Sequence, residues 1–218
     1  MDKIQIYCIP GLGANPKIFE HISLPKESFQ LHFIEWKIPL SPDESLEEYA
    51  IRMSAEITHK NPVLMGVSFG GILVQEISKI IPVKKIILIS TIKSHHEFPN
   101  RLKLIQRTKA YKLFPFKIIE NIEYYTKYFL GDFLRQRAKL YEMYLSVKDA
   151  RYMKWAIYHV LHWQQETPLE NSLHIHGSND HVFPSKHIKN FILVDKGTHV
   201  MVLLKAKKIS EIISKSLT

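Results

Sequence analysis

The sequence predicts an α/β fold: a doubly wound, mostly parallel sheet of about six strands, with helices on both faces and an inserted helical segment. Short apolar runs alternate with helical patterns in the first 90 residues and again after residue 165. This alternation is typical of parallel strands joined by crossover helices. Residues 91–165 contain helix-like segments but no clear strand. We therefore expect a core formed by residues 1–90 and 166–218, with an insertion formed by residues 91–165.

The predicted strands are short segments rich in β-branched and other apolar side chains. They cover residues 3–9, 31–36, 62–67, 84–90, 172–176 and 191–195. Between them, apolar residues recur at steps of three and four, which predicts helices. In the core these cover residues 16–22, 41–58, 70–80 and 200–216, with a short turn at 185–189. In the insertion they cover residues 100–112, 115–129, 133–145 and 148–164.

The charge and the cysteine content indicate which binding partners and bonds to expect. The net charge is +9, and residues 93–165 hold 14 lysines and arginines against 6 aspartates and glutamates. This basic excess either coats the outer faces of helices or attracts an acidic partner. Nucleic-acid binding is not expected, because phosphate-binding glycine loops and zinc knuckles are absent. The single cysteine, Cys8, lies in an apolar run and is expected to be a buried thiol.

The beginning of the sequence does not resemble a signal peptide. It lacks the basic head, the long apolar stretch and the small-residue cleavage site. No stretch approaches the roughly 18 consecutive apolar residues that a membrane-spanning helix needs. We expect a cytoplasmic protein with no membrane span.

The strongest local motif is Gly66-Val67-Ser68-Phe69-Gly70, which lies between a predicted strand and a predicted helix. A serine at such a tight turn adopts a strained backbone and projects its hydroxyl outward. Residues two positions before and after it come close together, so both must be small, and Gly66 and Gly70 meet this need. Ser68 is therefore the candidate nucleophile, with a purely structural glycine-rich turn as the alternative.

A serine hydroxyl needs a base to take its proton, and His199 is the best placed histidine. It follows the last predicted strand, and loops at the carboxyl ends of parallel strands meet at one edge of the sheet. Asp180 follows the preceding strand and is the expected carboxylate that orients the imidazole. Asp195 competes for this role, although it lies only four residues before His199. Asp149, in the insertion, is a more distant candidate.

Two backbone N–H groups should stabilise the charge that develops on the substrate oxygen. We expect one from Phe69, directly after the nucleophile, and the other from Leu12, in the loop after the first strand. A metal site near Asp180 is a different interpretation, because His174, His176 and His181 are ligand-type residues. His181 has no matching cluster elsewhere, so neither a metal nor a cofactor is expected.

Three motifs in order resemble those of the α/β-hydrolase superfamily, and the resemblance covers essentially the full length. Residues 66–71 resemble its nucleophile elbow, residues 177–184 its acid loop and residues 197–199 its histidine loop. One loop departs from the family pattern, because Pro10-Gly11 stands where the family often has His-Gly. The resemblance implies that the insertion is a helical cap that roofs the pocket and selects the substrate.

The resemblance also implies an activity, that of a serine hydrolase which cleaves a small-molecule carboxylic ester through an acyl-enzyme. An acyl thioesterase is one alternative, and a non-catalytic small-molecule-binding protein on the same fold is another. The size and basic cap also resemble, distantly, the pimeloyl-acyl-carrier-protein methyl ester esterases. This makes an acidic acyl carrier protein a candidate partner for arginines of the cap, which are Arg101, Arg107, Arg135, Arg137 and Arg151.

Overall fold

The computed structural model describes residues 2–115 and 143–217 of the chain. Within these residues, six strands form one sheet in which all neighbouring strands are parallel. The strands are β1 Ile4–Ile9, β2 Phe29–Phe33, β3 Val63–Val67, β4 Lys85–Ile89, β5 Ser172–Gly177 and β6 Ile192–Val194. The predicted α/β sheet of about six strands is confirmed.

The order of the strands across the sheet is β2-β1-β3-β4-β5-β6. The chain starts at β1, moves outward to β2 and then returns to the other side of β1 to form β3. Because all strands run in one direction, the loops after β1, β3, β5 and β6 leave the sheet at the same edge. This carboxyl edge is where open α/β sheets bind ligands, and the residues that follow these strands include Leu12, Ser68, Asp180 and His199.

Six helices cover the sheet or belong to the insertion in the described part of the chain. They are α1 Leu46–Ser54, α2 Phe69–Ile80, α3 Asn100–Thr108, α4 Ala150–His162, α5 Met201–Leu204 and α6 Ala206–Leu217. Short 3-10 turns lie at Pro16–Phe19, His95–Glu97, Ala110–Leu113 and Ser185–His187. None of the helices in the described ranges is long and apolar enough to cross a membrane.

The sheet has an apolar core on each of its faces. On one face, Leu64 and Leu88 pack with side chains of α1, α2 and α4. On the other face, Cys8, Met65 and Ile87 pack with side chains of α5 and α6. Successive residues of a strand point to opposite faces, so strands covered on both sides are apolar throughout. The prediction of helices on both faces is confirmed, and Cys8 is fully buried as expected.

Helix α1 is shorter than the helix predicted over residues 41–58. It begins after Ser45, where a capping box forms: the Ser45 hydroxyl accepts from the N–H of Glu48, and the Glu48 carboxylate accepts from the N–H of Ser45. It ends at Ser54, and a turn follows in which the N–H of Ile57 donates to the carbonyl of Ser54. Local capping therefore sets both ends, and the apolar pattern alone overestimated the length.

Two further elements differ from their predicted bounds. They are the strand predicted over residues 31–36 and the helix predicted over residues 200–216. Strand β2 begins where Phe29 pairs with Ile4 and ends where Phe33 pairs with Cys8. It ends there because β1 itself ends one residue later. The closing helix is divided into α5 and α6 at Lys205, whose φ of −126° and ψ of 23° are not helical.

In the described part of residues 91–165, the α-helices are α3 and α4. The helix predicted over residues 100–112 stops at Thr108, because Lys109 adopts a φ of 56° and a 3-10 turn follows. The helix predicted over residues 148–164 is α4, which is capped by Asp149. Helices predicted at residues 115–129 and 133–145 lie largely outside the described residues, as do Arg135 and Arg137.

Candidate active site

Ser68 occupies the tight turn between β3 and α2, as the motif predicts. Its φ of 54° and ψ of −117° lie outside the regions that non-glycine residues favour, so its backbone is strained. A Cβ on Gly66 would collide with the carbonyl oxygen of Gly70, and a Cβ on Gly70 would collide with that of Pro10. Both positions require glycine for steric reasons, which explains the spacing of the motif.

Hydrogen bonds to Ile89, the last residue of β4, and to Thr91, two residues later, hold this strained turn. The N–H of Ser68 donates to the carbonyl of Ile89 over 3.0 Å, and the hydroxyl of Thr91 donates to the carbonyl of Ser68 over 2.7 Å. A Cβ on Gly71 would collide with the Thr91 side chain, so the start of α2 packs tightly against this brace. The position of the nucleophile is therefore set by contacts with the neighbouring strand.

His199 lies in the loop after β6, and its imidazole reaches the nucleophile. The distance from Nε2 of His199 to Oγ of Ser68 is 2.9 Å. The loops after β5 and β6 pack closely against each other. A Cβ on Gly177 would collide with the carbonyl of Gly197. The N–H of Asn179 also donates to the carbonyl of Gly197 over 2.8 Å. This packing fixes His199 relative to the loop that carries the acid.

Asp180 completes a hydrogen-bonded chain with these two residues. Its Oδ2 lies 2.9 Å from Nδ1 of His199, and its Oδ1 accepts from the N–H groups of Val182 and Phe183 at 2.8 and 2.9 Å. Because Nδ1–H donates to Asp180, Nε2 of the neutral ring can accept from the Ser68 hydroxyl. Burial by itself would raise the pKa of Asp180, but the hydrogen bonds from His199 and Phe183 outweigh it and hold the pKa below its ordinary value.

The two competing carboxylates lie elsewhere. Asp195 is exposed at the end of β6. Asp149 accepts from the N–H groups of Arg151 and Tyr152 at the start of α4. The structure therefore brings together Ser68, His199 and Asp180 from three separate loops.

Two buried histidines lie behind Asp180, where the sequence suggested only a metal site as an alternative. Nε2 of His176 donates to the carbonyl of Phe183 over 2.8 Å and lies 3.6 Å from Oδ2 of Asp180. Its Nδ1 lies 3.2 Å from Nε2 of His174. Burial lowers the pKa of both rings, so both are neutral at physiological pH. The pair supports the acid loop, whereas His181 is exposed.

Leu12 and Phe69, the expected oxyanion donors, belong to two segments that meet beside Ser68. A Cβ on Gly11 would lie 3.7 Å from Cβ of Ser68, so the loop after β1 passes beside the nucleophile. Leu12 follows Gly11 in this loop, and Phe69 follows Ser68 at the start of α2. Within residues 2–115 and 143–217, the N–H groups of Leu12 and Phe69 have no hydrogen-bond acceptor. Free donors of this kind can stabilise a developing oxyanion.

Two aromatic side chains that no motif revealed hold this loop. Nε1 of Trp36 donates to the carbonyl of Gly11 over 2.8 Å, and the N–H of Gly13 donates to the hydroxyl of Tyr152 over 3.3 Å. Trp36 also stacks on Phe69, with ring centroids 5.1 Å apart. These contacts brace the loop where the family pattern would place a histidine. Neither Trp36 nor Tyr152 stands in a motif, so the sequence singled out neither residue.

Comparisons with known proteins identify the fold. No family model and no curated protein matches the sequence. The chain is similar to the solved structure of a carboxylesterase of the thaumarchaeon Nitrososphaera gargenis, with 17% identity, a TM-score of 0.68, and coverage of 99% of this chain and 90% of that chain. It is similar to an epoxide hydrolase of the α/β-hydrolase superfamily from metagenomes of hot environments, with 10% identity, a TM-score of 0.69, and coverage of 100% and 91%.

A third similar structure is a bromoperoxidase from Bacillus anthracis, with 14% identity, a TM-score of 0.64, and coverage of 97% of this chain and 91% of that chain. At such low identities the likeness shows the fold alone. The chain has the α/β-hydrolase fold, and what it catalyses must be argued from the site itself.

Proposed function

We propose that this protein is a serine hydrolase that cleaves carboxylic esters through an acyl-enzyme. The observation that carries the proposal is the continuous hydrogen-bonded chain from Ser68 through His199 to the buried Asp180. Three side chains from three loops converge in the order and geometry that nucleophilic catalysis requires. The strained backbone of Ser68 supports the proposal, since such strain concentrates at functional sites.

In the proposed reaction, Oγ of Ser68 attacks the acyl carbonyl while Nε2 of His199 takes the hydroxyl proton. The N–H groups of Leu12 and Phe69 stabilise the oxyanion, and Asp180 stabilises the imidazolium that forms. His199 then gives its proton to the leaving alcohol as the C–O bond breaks. Water, deprotonated by His199, attacks the acyl carbon, the bond to Oγ of Ser68 breaks, and His199 returns the proton to Oγ as the acid leaves.

We propose that the insertion selects the substrate. Helix α4 places Tyr152 and Trp155 in one apolar cluster with Phe69, the residue after the nucleophile. The Trp155 and Phe69 rings meet edge to face, with centroids 6.1 Å apart. We infer that this buried aromatic packing next to the residue after the nucleophile favours esters with an apolar acyl or alcohol group. The esterase among the structurally similar proteins supports this reaction class, but the bromoperoxidase shows that the fold does not choose the reaction.

Labelling with a fluorophosphonate probe tests the proposal. Such a probe phosphonylates an activated serine, and we expect a single adduct that peptide mapping places on Ser68. The adduct should disappear in His199→Ala and persist in Ser78→Ala, a control on α2 away from the site. A folded wild-type protein without any adduct would instead favour the alternative of a non-catalytic binding protein on this fold.

A second candidate substrate is an acyl thioester or ester carried by an acidic carrier protein. Helix α3 exposes Arg101, Lys103 and Arg107, which supports attraction of an acidic partner. Such a reaction would take place in the cytoplasm, the location that we propose for a chain whose only cysteine, Cys8, can form no internal disulfide.

Binding of an acidic acyl carrier protein, measured at low and high salt, tests this second candidate. We expect binding that weakens with salt and with Arg107→Gln, but not with Lys26→Gln, an exposed control outside the insertion. Binding that is absent at low salt, or insensitive to both salt and Arg107, would contradict it.

A further inference from the structure

Two histidines and a glutamate converge where the insertion leaves and rejoins the core. His95 and His96 lie in the 3-10 turn shortly after β4, and Glu166 follows the last insertion residue. Nδ1 of His95 lies 3.6 Å from Oε1 of Glu166, and Nε2 of His96 lies 3.1 Å from Oε2. The ligand-type atoms of the three side chains all lie within 4.8 Å of one another. None of the three belongs to the proposed catalytic chain.

We propose that His95, His96 and Glu166 bind a transition-metal ion of the Zn²⁺, Co²⁺ or Ni²⁺ class. The ion would link the two ends of the insertion, and we call these three residues the clasp. Two imidazoles and one carboxylate are a ligand set that these ions favour. Zn²⁺ bonds of about 2.0–2.1 Å at tetrahedral angles place ligand atoms about 3.3–3.4 Å apart. The two imidazole nitrogens lie 3.6 and 3.1 Å from different oxygens of the Glu166 carboxylate, on either side of this value, so binding through one oxygen requires a rotation of that carboxylate.

The adjustment that metal binding requires falls mainly on exposed side chains. The side chain of His96 is 66% exposed and that of Glu166 is 75% exposed, so both can rotate without repacking the core. The ring centroids of His95 and His96 are 4.0 Å apart. His95 Nδ1 also lies 3.2 Å from the carbonyl of Gln165, a contact that the ring would give up in the tautomer that binds metal. Three protein ligands would leave a fourth position for water.

The main chain on both sides of the cluster is held in place, so the three ligands are partly preorganised. The N–H of His95 donates to the carbonyl of Gln165 over 3.0 Å. The buried side chain of Gln165 donates to the carbonyl of Lys93 over 2.8 Å and to the side chain of Gln75 over 2.9 Å. The backbone before His95 and the backbone before Glu166 are thus tied to each other and to α2. A bound ion would add a link between two points that are 70 residues apart in the chain.

Metal titration of the full-length, tag-free protein after chelator treatment tests the proposal. We expect Co²⁺ to bind one site, with a visible absorption spectrum typical of low coordination number, and Zn²⁺ to displace it. Excess Mg²⁺ should not compete, because it prefers oxygen ligands. Zn²⁺ should also raise the midpoint temperature of thermal unfolding, because it binds the three side chains only as the folded protein arranges them.

The variants His96→Gln and Glu166→Gln should each weaken Co²⁺ binding by about tenfold or more and abolish the Zn²⁺-induced rise in thermal midpoint. His21→Gln is the matched control, because His21 is also exposed and lies 3.6 Å from a single carboxylate, that of Glu20. It should bind Co²⁺ as the wild type does. Circular dichroism checks that the exposed substitutions leave the fold intact.

Two results would overturn the proposal. The first is equal Co²⁺ affinity in the wild type and in both clasp variants, which would leave the cluster as a set of ion pairs only. The second is loss of binding in His199→Ala with full retention in His96→Gln, which would place the ion at the catalytic histidine. Both results are read from metal binding and not from ester turnover, so this proposal can fail while the proposed function stands.

Discussion

The turn that carries Ser68 and the loop that carries Leu12 face the same reaction centre but are held in different ways. The Ser68 turn is shaped by glycines within the motif and by hydrogen bonds to the adjacent strand β4. The Leu12 loop is held by Trp36 and by Tyr152, which lie far from it in the sequence. Glycine sterics and backbone contacts with adjacent strands therefore define the position of the nucleophile, whereas aromatic side chains define the position of the loop proposed to stabilise the oxyanion.

This difference predicts how substitutions in each region affect catalysis. A change in the Ser68 turn removes the nucleophile or disturbs the backbone, so its effect should be large. A change in the braces of the Leu12 loop leaves the nucleophile in place and weakens only the stabilisation of the transition state, so its effect should be smaller and confined to kcat.

The largest expected effect is that of Ser68→Ala, which removes the nucleophile. We expect kcat/KM for a short-chain p-nitrophenyl ester to fall by about 10⁴-fold or more. Ser78→Ala, on the same helix, should retain the activity of the wild type. Comparable hydrolysis by Ser68→Ala and the wild type would contradict the proposed role of the turn.

Gly66→Ala should disrupt the turn through the backbone. The added Cβ would collide with backbone atoms of Gly70 and Gly71, which cannot move aside without shifting α2. We expect a loss of about 3 kcal/mol in the free energy of unfolding, measured by urea denaturation. Gly11→Ala is the control, since its Cβ would find only ordinary contacts at 3.7 and 3.8 Å. Equal stability of the two variants would show that the turn is less constrained than the structure indicates.

Tyr152→Phe tests the other side of the comparison. It removes the hydroxyl that accepts from Gly13 N–H but keeps the ring in its apolar cluster. We expect kcat to fall by about fivefold with little change in KM, because one neutral hydrogen bond is worth about 1 kcal/mol and this one positions a transition-state donor. Tyr158→Phe, on the same helix but exposed, should be neutral. A rise in KM at constant kcat would assign Tyr152 to substrate binding instead.

The smallest expected effect concerns stability and pH at the histidine pair behind the acid. Burial lowers the pKa of His174 and His176 in the folded protein, so the unfolded chain binds more protons as the pH falls below about 6.5. The free energy of unfolding should therefore decrease from pH 7 toward pH 5. His174→Gln removes one of these groups and should make the slope shallower in urea denaturation. An unchanged slope would show that His174 does not contribute.

The same contrast explains how much of the molecule could be predicted from the sequence. The parallel sheet, its number of strands and the convergence of Ser68, His199 and Asp180 follow from alternation and short motifs, because glycine sterics and strand ends are local properties. Trp36 and Tyr152 could not be predicted, because their partners in the Leu12 loop lie 25 and 139 residues away. Helix ends were misplaced where a cap such as that at Ser45 overrides the apolar pattern.

The most direct test of the account is detection of the acyl-enzyme itself. The protein is mixed with a p-nitrophenyl ester, quenched in acid during turnover and measured by intact mass spectrometry, followed by peptide mapping. We predict a mass increase equal to the acyl group on the peptide that contains Ser68, and no such adduct in Ser68→Ala. Turnover of the ester without any acyl adduct, or with an adduct on another residue, would contradict the proposed mechanism.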